Sequence, residues 1–240
     1  MSERATARPR RRFEPTDLDL RDEGVVEIDT QVGYSGGADP RVTMPDLEVA
    51  LGLAHGIQLQ LDTTLGWDQQ QKNRLRTVEN TWATVKLRIA DVVDPVTQDY
   101  WAVGTQVGPK LPTMQDARGL GVEGLVIVGR GQGPVHLFVQ VGVLLDPYVA
   151  TPGTARERPF ALEGGVDADI DLDDHDRWSF TAEVGASRFF APRYGETHAT
   201  AGVACNVTKQ LELSAIAIGG YAQGGQLGFL VGATPKLALF

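Results

Sequence analysis

The chain has 240 residues, of which 42% are hydrophobic, and its formal net charge is -9. The acidic balance disfavours nucleic acid as a partner, and the single cysteine excludes an internal disulfide and a Cys-based zinc site. No apolar run reaches the ~18 residues that a membrane-spanning helix needs, so a helical membrane protein is excluded. A mean hydropathy of -0.14 is compatible with a membrane β-barrel, because only alternate residues of its strands face lipid.

Residues 1–23 are polar, carry charges of both signs and show no apolar periodicity. We therefore expect a flexible N-terminal tail, followed by a barrel domain over residues 24–240. Five arginines lie within the first 12 residues, but the hydrophobic stretch that an export signal requires does not follow them. The favoured interpretation is that the signal peptide is absent or not included in this sequence, and the alternative is a protein that is not exported.

From Gly24 onward, apolar and polar residues alternate. Phe160 to Asp173 is the clearest case, with apolar residues on one face and five acids on the other. A helix would spread these acids around its circumference, whereas a strand places them on one side. The pattern predicts about twelve strands, near residues 24–34, 42–53, 57–66, 80–90, 99–109, 120–129, 135–145, 159–172, 177–188, 196–206, 210–219 and 226–240.

The connections between these strands also differ in length. The odd-numbered connections are mostly longer than the even-numbered ones, with residues 91–98 as the even-numbered exception. Outer-membrane barrels have long loops on one side and short turns on the other, and an even strand count returns both chain ends to the short-turn side. The sequence therefore predicts an all-β fold, a single antiparallel up-and-down transmembrane β-barrel of about twelve strands.

One face of the predicted strands is ionic. Burying so many charges without water or partners would cost several kcal/mol each, so we expect them to line a lumen. Bases on and near the fourth and fifth strands, with acids on most others, predict a transverse electric field. The alternative is the solvated outer face of a soluble sheet. The predicted lumen-lining residues are Glu27, Asp29, Glu48, Asp62, Lys86, Arg88, Lys110, Glu163, Asp167, Asp169, Asp171 and Glu183.

The opposite face is apolar, with aromatic residues near the strand ends, which suits the interface between lipid and water. The alternative for each aromatic is burial in a soluble core. The predicted interfacial aromatics are Tyr34, Trp67, Trp101, Trp178 and Phe240. The inward face stays open for the strands near 120–129 and 210–219, where apolar residues such as Leu125 and Ile127 share a face with acids.

The sequence gives no positive sign of catalysis. The acids between Asp167 and Asp176 lack the turn glycine and the closing glutamate of an EF-hand loop. The glycines of residues 129–133 are not followed by Lys-Ser/Thr, and the histidines lack ligand or triad spacing. We expect no enzyme activity, no cofactor and no metal.

Tyr100 to Thr113 (YWAVGTQVGPKLPT) is a glycine-punctuated strand that runs into a Leu-Pro-Thr corner, and Gly119 to Arg130 (GLGVEGLVIVGR) follows it. With the C-terminal half, these residues resemble the outer-membrane channel family named for the meta-pathway of phenol degradation. The likeness covers roughly residues 24–240, but Met114 stands where the family's corner usually has glycine. The resemblance implies a barrel that passes small, often aromatic, hydrophobic compounds, and it brings no catalytic residues.

We therefore expect a monomeric channel in the cell outer membrane, in which pore width and lumen charges select the solute. Its expected partners are outer-membrane lipid, a small-molecule solute and, through the C-terminal strand, the barrel-assembly machinery. Two alternatives stay open: a structural or adhesion barrel without transport, and a soluble β-barrel that binds a lipid-like ligand.

Overall fold

The computed structural model describes residues 18, 20–37, 41–68, 74–78, 81–114, 117–149, 157–173, 177–190, 193–221 and 226–239. Within these ranges every regular element is a β-strand. No helix in them is long and apolar enough to cross a membrane.

Twelve long strands form the main sheet, which confirms the predicted all-β fold and the strand number. They are β1 Val25–Gly37, β2 Arg41–Ala54, β3 Ile57–Asp68, β5 Thr81–Val93, β6 Tyr100–Leu111, β8 Gly121–Gln132, β9 Val135–Leu145, β11 Phe160–Asp171, β12 Trp178–Phe190, β13 Arg193–Thr208, β14 Leu211–Tyr221 and β15 Gln226–Ala238. Three short strands lie in the connections: β4 Arg74–Val78, β7 Ala117–Arg118 and β10 Tyr148–Val149.

The sheet closes on itself. Each long strand pairs antiparallel with the next, and β1 pairs with β15 from Val25–Ala238 to Gly37–Gln226. Beyond the last pair, the Leu239 N–H donates to the Gly24 carbonyl oxygen at 2.8 Å. Closure leaves none of the twelve long strands with an open edge, as the predicted barrel requires.

The three longest connections, residues 69–80, 112–120 and 146–159, all lie at one end of the barrel, called here the long-loop end. There β7 and β10 pair with each other, so two of these loops are joined. The other three connections at this end are only residues 38–40, 191–192 and 222–225, because their strands run further than the sequence pattern predicted. The predicted loop asymmetry therefore rests on three connections.

The opposite, short-turn end includes residues 94–99, the connection predicted to be unusually long. Hydrogen bonds make it compact: the Asp94 N–H donates to the Asp99 carbonyl oxygen, and Asp94 Oδ1 accepts the Val96 and Thr97 N–H groups at 2.7 and 3.1 Å. These two backbone donors lower the pKa of the exposed Asp94 carboxyl. Gln98 closes the turn with a φ of 62°, a left-handed conformation unusual for a residue other than glycine.

Side chains on strand β9 alternate between the outer surface and the interior of the barrel. Leu137, Val139 and Val141 are 47–62% exposed on the outer surface. Between them, Phe138 is buried and Gln140 is half-buried on the inner side. Such alternation follows from the two-residue repeat of a strand, which points successive side chains to opposite faces.

Gly33 lies at the seam between β1 and β15, where an added methyl group would overlap the Phe229 carbonyl oxygen. We expect Gly33→Ala to lower the free energy of unfolding by roughly 1–3 kcal/mol, the usual cost of overpacking. Gly36→Ala is the matched control on the same strand, since its new methyl would meet only ordinary contacts, the nearest being Tyr34 Cε1 at 3.5 Å. Urea unfolding in lipid vesicles measures both variants, and equal losses would contradict the crowding at Gly33.

Candidate functional site

The twelve predicted lumen-lining residues all lie on the inner side of the barrel wall. Eight are buried and four are half-buried, the latter being Arg88, Glu163, Asp169 and Asp171. Their positions follow from strand periodicity, because each shares the face of its strand that is turned away from the exposed valines and leucines. Their role in selecting a solute stays a prediction.

An acidic wall lies on β1, β2 and β3. Asp29, Glu48 and Asp62 are register partners in one row across these strands. The Gln60 amide donates to Glu48 Oε2 at 2.5 Å and to Asp62 Oδ2 at 3.2 Å, and the Thr234 hydroxyl of β15 donates to Asp29 Oδ1 at 2.9 Å. These donors compensate part of the cost of holding adjacent carboxylates in a protein interior.

A second acidic group lies on β11 and β12, across the barrel. The Thr181 hydroxyl donates to Asp169 Oδ1 at 2.5 Å, and Glu183 Oε1 lies 2.8 Å from His198 Nε2. Asp167 pairs in register with Glu183 and is fully buried. Among the described residues, no three His, Cys, Asp or Glu side chains are arranged to hold a metal ion.

Three basic residues face inward from β5 and β6. Lys86 and Arg88 lie on β5, and Lys110 lies near the long-loop end of β6. Lys110 Nζ forms an ion pair with Asp146 and stands 4.2 Å from the ring centroid of Trp82. Trp82 is buried inside the barrel and was not among the predicted functional residues, although its spacing from Lys86 and Arg88 places it on the same face of β5.

Apolar side chains form a third part of the interior. On β8 and β9, Leu125, Ile127, Phe138 and Leu144 are each at most 2% exposed and face inward. The question left open by the sequence is thereby answered for β8, where Leu125 and Ile127 share the inner face with Glu123. On β14 and β15, a smaller buried cluster contains Ile216, Ile218 and Leu230. The inner wall is therefore amphipathic around its circumference.

A polar chain joins three strands near the short-turn end. The Tyr100 hydroxyl lies 3.1 Å from His136 Nδ1, and His136 Nε2 lies 3.2 Å from Asp171 Oδ2. The Tyr100 and His136 rings also stack, with their centroids 5.7 Å apart. These contacts fix β6, β9 and β11 relative to one another at this mouth.

Leu18, which belongs to the N-terminal segment, lies inside the barrel, while the predicted flexible tail falls mostly outside the described residues. Leu18 is 2% exposed and belongs to the interior cluster of β8 and β9. Arg88 donates from Nε to the Leu18 carbonyl oxygen at 3.1 Å, and its Nη2 donates to the same atom. Arg21 follows with a 2.6 Å ion pair to Glu27 Oε1. Leu18 therefore fills part of the interior.

The predicted aromatics divide between the two ends on the outer surface. Tyr34 is exposed towards the long-loop end, while Trp101 and Trp178 are exposed near the short-turn end. Arg130 stands over the Trp101 ring at 4.9 Å. The Trp67 side chain and Phe240 lie outside the described residues. Placement at lipid–water interfaces stays a prediction for all five.

The contribution of the Lys110–Asp146 ion pair to the stability of the long-loop end can be measured by substitution. Lys110→Met would leave a buried carboxylate without its cation and should cost roughly 3–5 kcal/mol of unfolding free energy. The double variant Lys110→Met/Asp146→Leu removes both charges and should recover most of that loss. Urea titration followed by tryptophan fluorescence measures the free energy of unfolding of each variant. If the double variant lost as much free energy as Lys110→Met and Asp146→Leu lose together, the pairing would be contradicted.

Comparison with known proteins identifies the fold. No family model and no curated protein matches the chain. The chain is similar to the crystal structure of the COG4313 outer membrane channel from Pseudomonas putida F1, with a TM-score of 0.66 and 9% identity over 94% of this chain and 100% of that one. It is also similar to the KdgM porin, with a TM-score of 0.52 and 8% identity over 86% of this chain and 98% of that one.

At such identities the likeness concerns the fold alone. The chain has the closed β-barrel architecture of an outer-membrane channel and of a porin. This agrees with the coarser part of the family resemblance seen in the sequence, while membership of the phenol meta-pathway family itself stays a prediction.

Proposed function

We propose that the protein is a monomeric outer-membrane channel through which small solutes pass passively. The observation that carries the proposal is the two-sided wall, in which large apolar side chains are exposed outside and ionisable side chains are held inside. An outer-membrane channel needs both faces, because its outer surface contacts hydrocarbon while its interior contacts water and solute. In this proposal no residue has a catalytic role.

The outer surface supports a location in outer-membrane lipid. The twelve long strands have 11 to 16 residues, enough for the ~9–11 residues that a tilted strand needs to cross a bilayer. Large apolar side chains such as Val126, Val141 and Val184, each at least 51% exposed, lie on that surface. A soluble barrel that binds a lipid-like ligand would expose this surface to water, where large apolar patches are rare.

The interior supports selection by charge. Among the described residues, ten carboxylic acids and two lysines are buried. Both buried lysines lie on β5 and β6. Eight of the ten buried acids lie on β1–β3 to one side or on β11–β13 to the other, while Glu123 and Asp146 lie near the lysines. Such an arrangement creates a transverse field, which orients a polar solute and favours cations overall.

The apolar part of the inner wall supports passage of small solutes with hydrophobic or aromatic parts. Leu125, Ile127 and Phe138 form one continuous cluster with Ala102 and Leu18. A solute that slides over such a surface exchanges contacts with water for contacts with apolar atoms, which lowers its free energy along the path. We also propose that β15 presents the recognition signal to the barrel-assembly machinery.

A barrel without transport, with a structural or adhesion role, is the second candidate. The observation that favours it is the filled interior, where Leu18 and the inward side chains are closely packed. Measured solute flux separates the two functions, because an adhesion barrel needs no open path.

Conductance in planar bilayers tests the channel directly. Lys86→Glu adds negative charge to the interior and should shift the reversal potential in a KCl gradient towards cation preference, whereas Asp169→Lys should shift it the opposite way. Lys209→Glu is the control, since Lys209 is exposed in the turn at residues 209–210 outside the interior. Insertion without conductance would contradict the channel, and equal shifts in all three variants would contradict selection by the inner wall.

Lysine substitutions on the outer surface test the membrane location. Val141→Lys, in the middle of β9, should lower the free energy of unfolding from a bilayer by ~2–4 kcal/mol, because lysine is costly at the midplane. Val92→Lys, near the short-turn end of β5, is the control and should cost at most about 1 kcal/mol. If both changes were neutral, as surface substitutions on a soluble protein usually are, the soluble alternative would be favoured.

A further inference from the structure

We propose that Leu18 occupies a binding site for a small molecule with a carboxylate on an apolar body, and that the N-terminal segment competes with this ligand. The inference rests on the proposed channel and names the solute class that it would bind. The observation behind it is that the inner wall contacts Leu18 twice: apolar residues pack against its side chain, and Arg88 donates hydrogen bonds to its carbonyl oxygen.

The apolar half of the site is formed by the wall of β6, β8 and β9. Leu18 packs there with Ala102, Leu125, Ile127 and Phe138. At Gly104 of β6, an added methyl group would overlap Leu18 Cδ2, so the glycine leaves the space that the side chain fills. This part of the inner wall accommodates the branched aliphatic side chain of Leu18.

The polar half is the edge of the Arg88 guanidinium. Its Nε and Nη2 atoms both donate to the single carbonyl oxygen of Leu18. This edge matches the two oxygens of a carboxylate, which would also bring a compensating charge. The Asp91 carboxylate, at 3.8 Å from Nη1, is too far to hydrogen-bond with the guanidinium. A neutral carbonyl therefore fills a position suited to an anion.

Arg21 adds contacts in the described part of the segment. The Arg21 N–H donates to Gln58 Oε1 at 2.9 Å, and the Arg21 guanidinium pairs with Glu27. Gly52 allows the backbone of Arg21 and Asp22 to approach the wall. Each such hydrogen bond contributes little net free energy, so a ligand in the site can replace Leu18.

The approach that we propose for such a ligand runs from the long-loop end along the basic strands. Lys110, Lys86 and Arg88 face inward at successive depths on β5 and β6, next to the apolar residues of β8 and β9. A solute could keep its carboxylate on the basic strands and its body on the apolar ones along this path. The acidic walls lie elsewhere on the circumference, on β1–β3 and on β11–β12, while the buried Glu123 of β8 and Asp146, the partner of Lys110, lie beside this path.

The carbon skeleton of Leu18 from its carbonyl to its methyl groups is that of 4-methylpentanoate, which is therefore the probe. Isothermal titration calorimetry on the full chain in detergent micelles would compare it with the neutral 4-methylpentanamide. We expect Leu18→Gly to bind the acid about tenfold more tightly than the unchanged chain, because the competing occupant is lost. Arg21→Ala, which loosens the segment outside the site, should also increase the affinity.

Two comparisons identify the carboxylate contact. The acid should bind Leu18→Gly about tenfold more tightly than the amide does, since a charge-assisted pair is stronger than a neutral one. Arg88→Gln in the Leu18→Gly background should remove this preference, whereas Arg88→Lys should retain part of it.

Equal affinity for acid and amide, or no binding to folded Leu18→Gly and Arg21→Ala, would overturn the proposal. Both readouts are independent of conductance. A conducting channel without carboxylate binding would overturn this inference alone, and carboxylate binding without conductance would overturn the channel alone.

Discussion

The pairing of backbone hydrogen bonds around a closed ring is the constraint on which the rest of this structure depends. Hydrocarbon offers no partner to a strand's N–H and C=O groups, so a sheet in a bilayer is viable when its edges meet. Closure of β1 on β15 makes this possible, and it requires an even number of antiparallel strands when both ends leave at the same mouth. Closure also divides the side chains of every strand into an inner and an outer set. The apolar outer surface and the ionic interior are therefore two results of one geometry.

The sequence was sufficient for the parts of the fold that depend on local periodicity. The twelve long strands were predicted because alternation along segments such as β9 and β11 is a property of neighbouring residues. Connection lengths were predicted less well, because pairing with a neighbour extends a strand beyond its alternating segment. Strand β13 begins at Arg193 rather than near 196, and the connection at residues 191–192 is correspondingly short. The turn after Asp94 is compact through hydrogen bonds that composition does not indicate.

The same limit applies to the interior. Periodicity placed the charged residues on one face, and it placed Leu125 and Ile127 with an acid on β8, but it could not decide which face of β8 is turned inward. Which face of a strand is turned inward depends on closure of the whole barrel, and the structure turns the face of Leu125 inward. The contact between Lys110 and Asp146 joins residues that are 36 positions apart. The position of Leu18 was beyond prediction for another reason, since Leu18 is buried against a surface that only the folded barrel supplies.

The seam between β1 and β15 also determines the order in which the molecule can be completed. The Asp29–Thr234 hydrogen bond spans 205 positions, so the seam is the least local pairing in the barrel and carries the greatest loop-closure entropy. Hairpins can form one after another along the chain, but the free side of β1 has no partner until β15 arrives. An unpaired strand edge readily adds a strand from another molecule. The interval before closure is therefore the time at which the chain is most exposed to misassembly, and shielding the edge of β1 during that interval would protect it most.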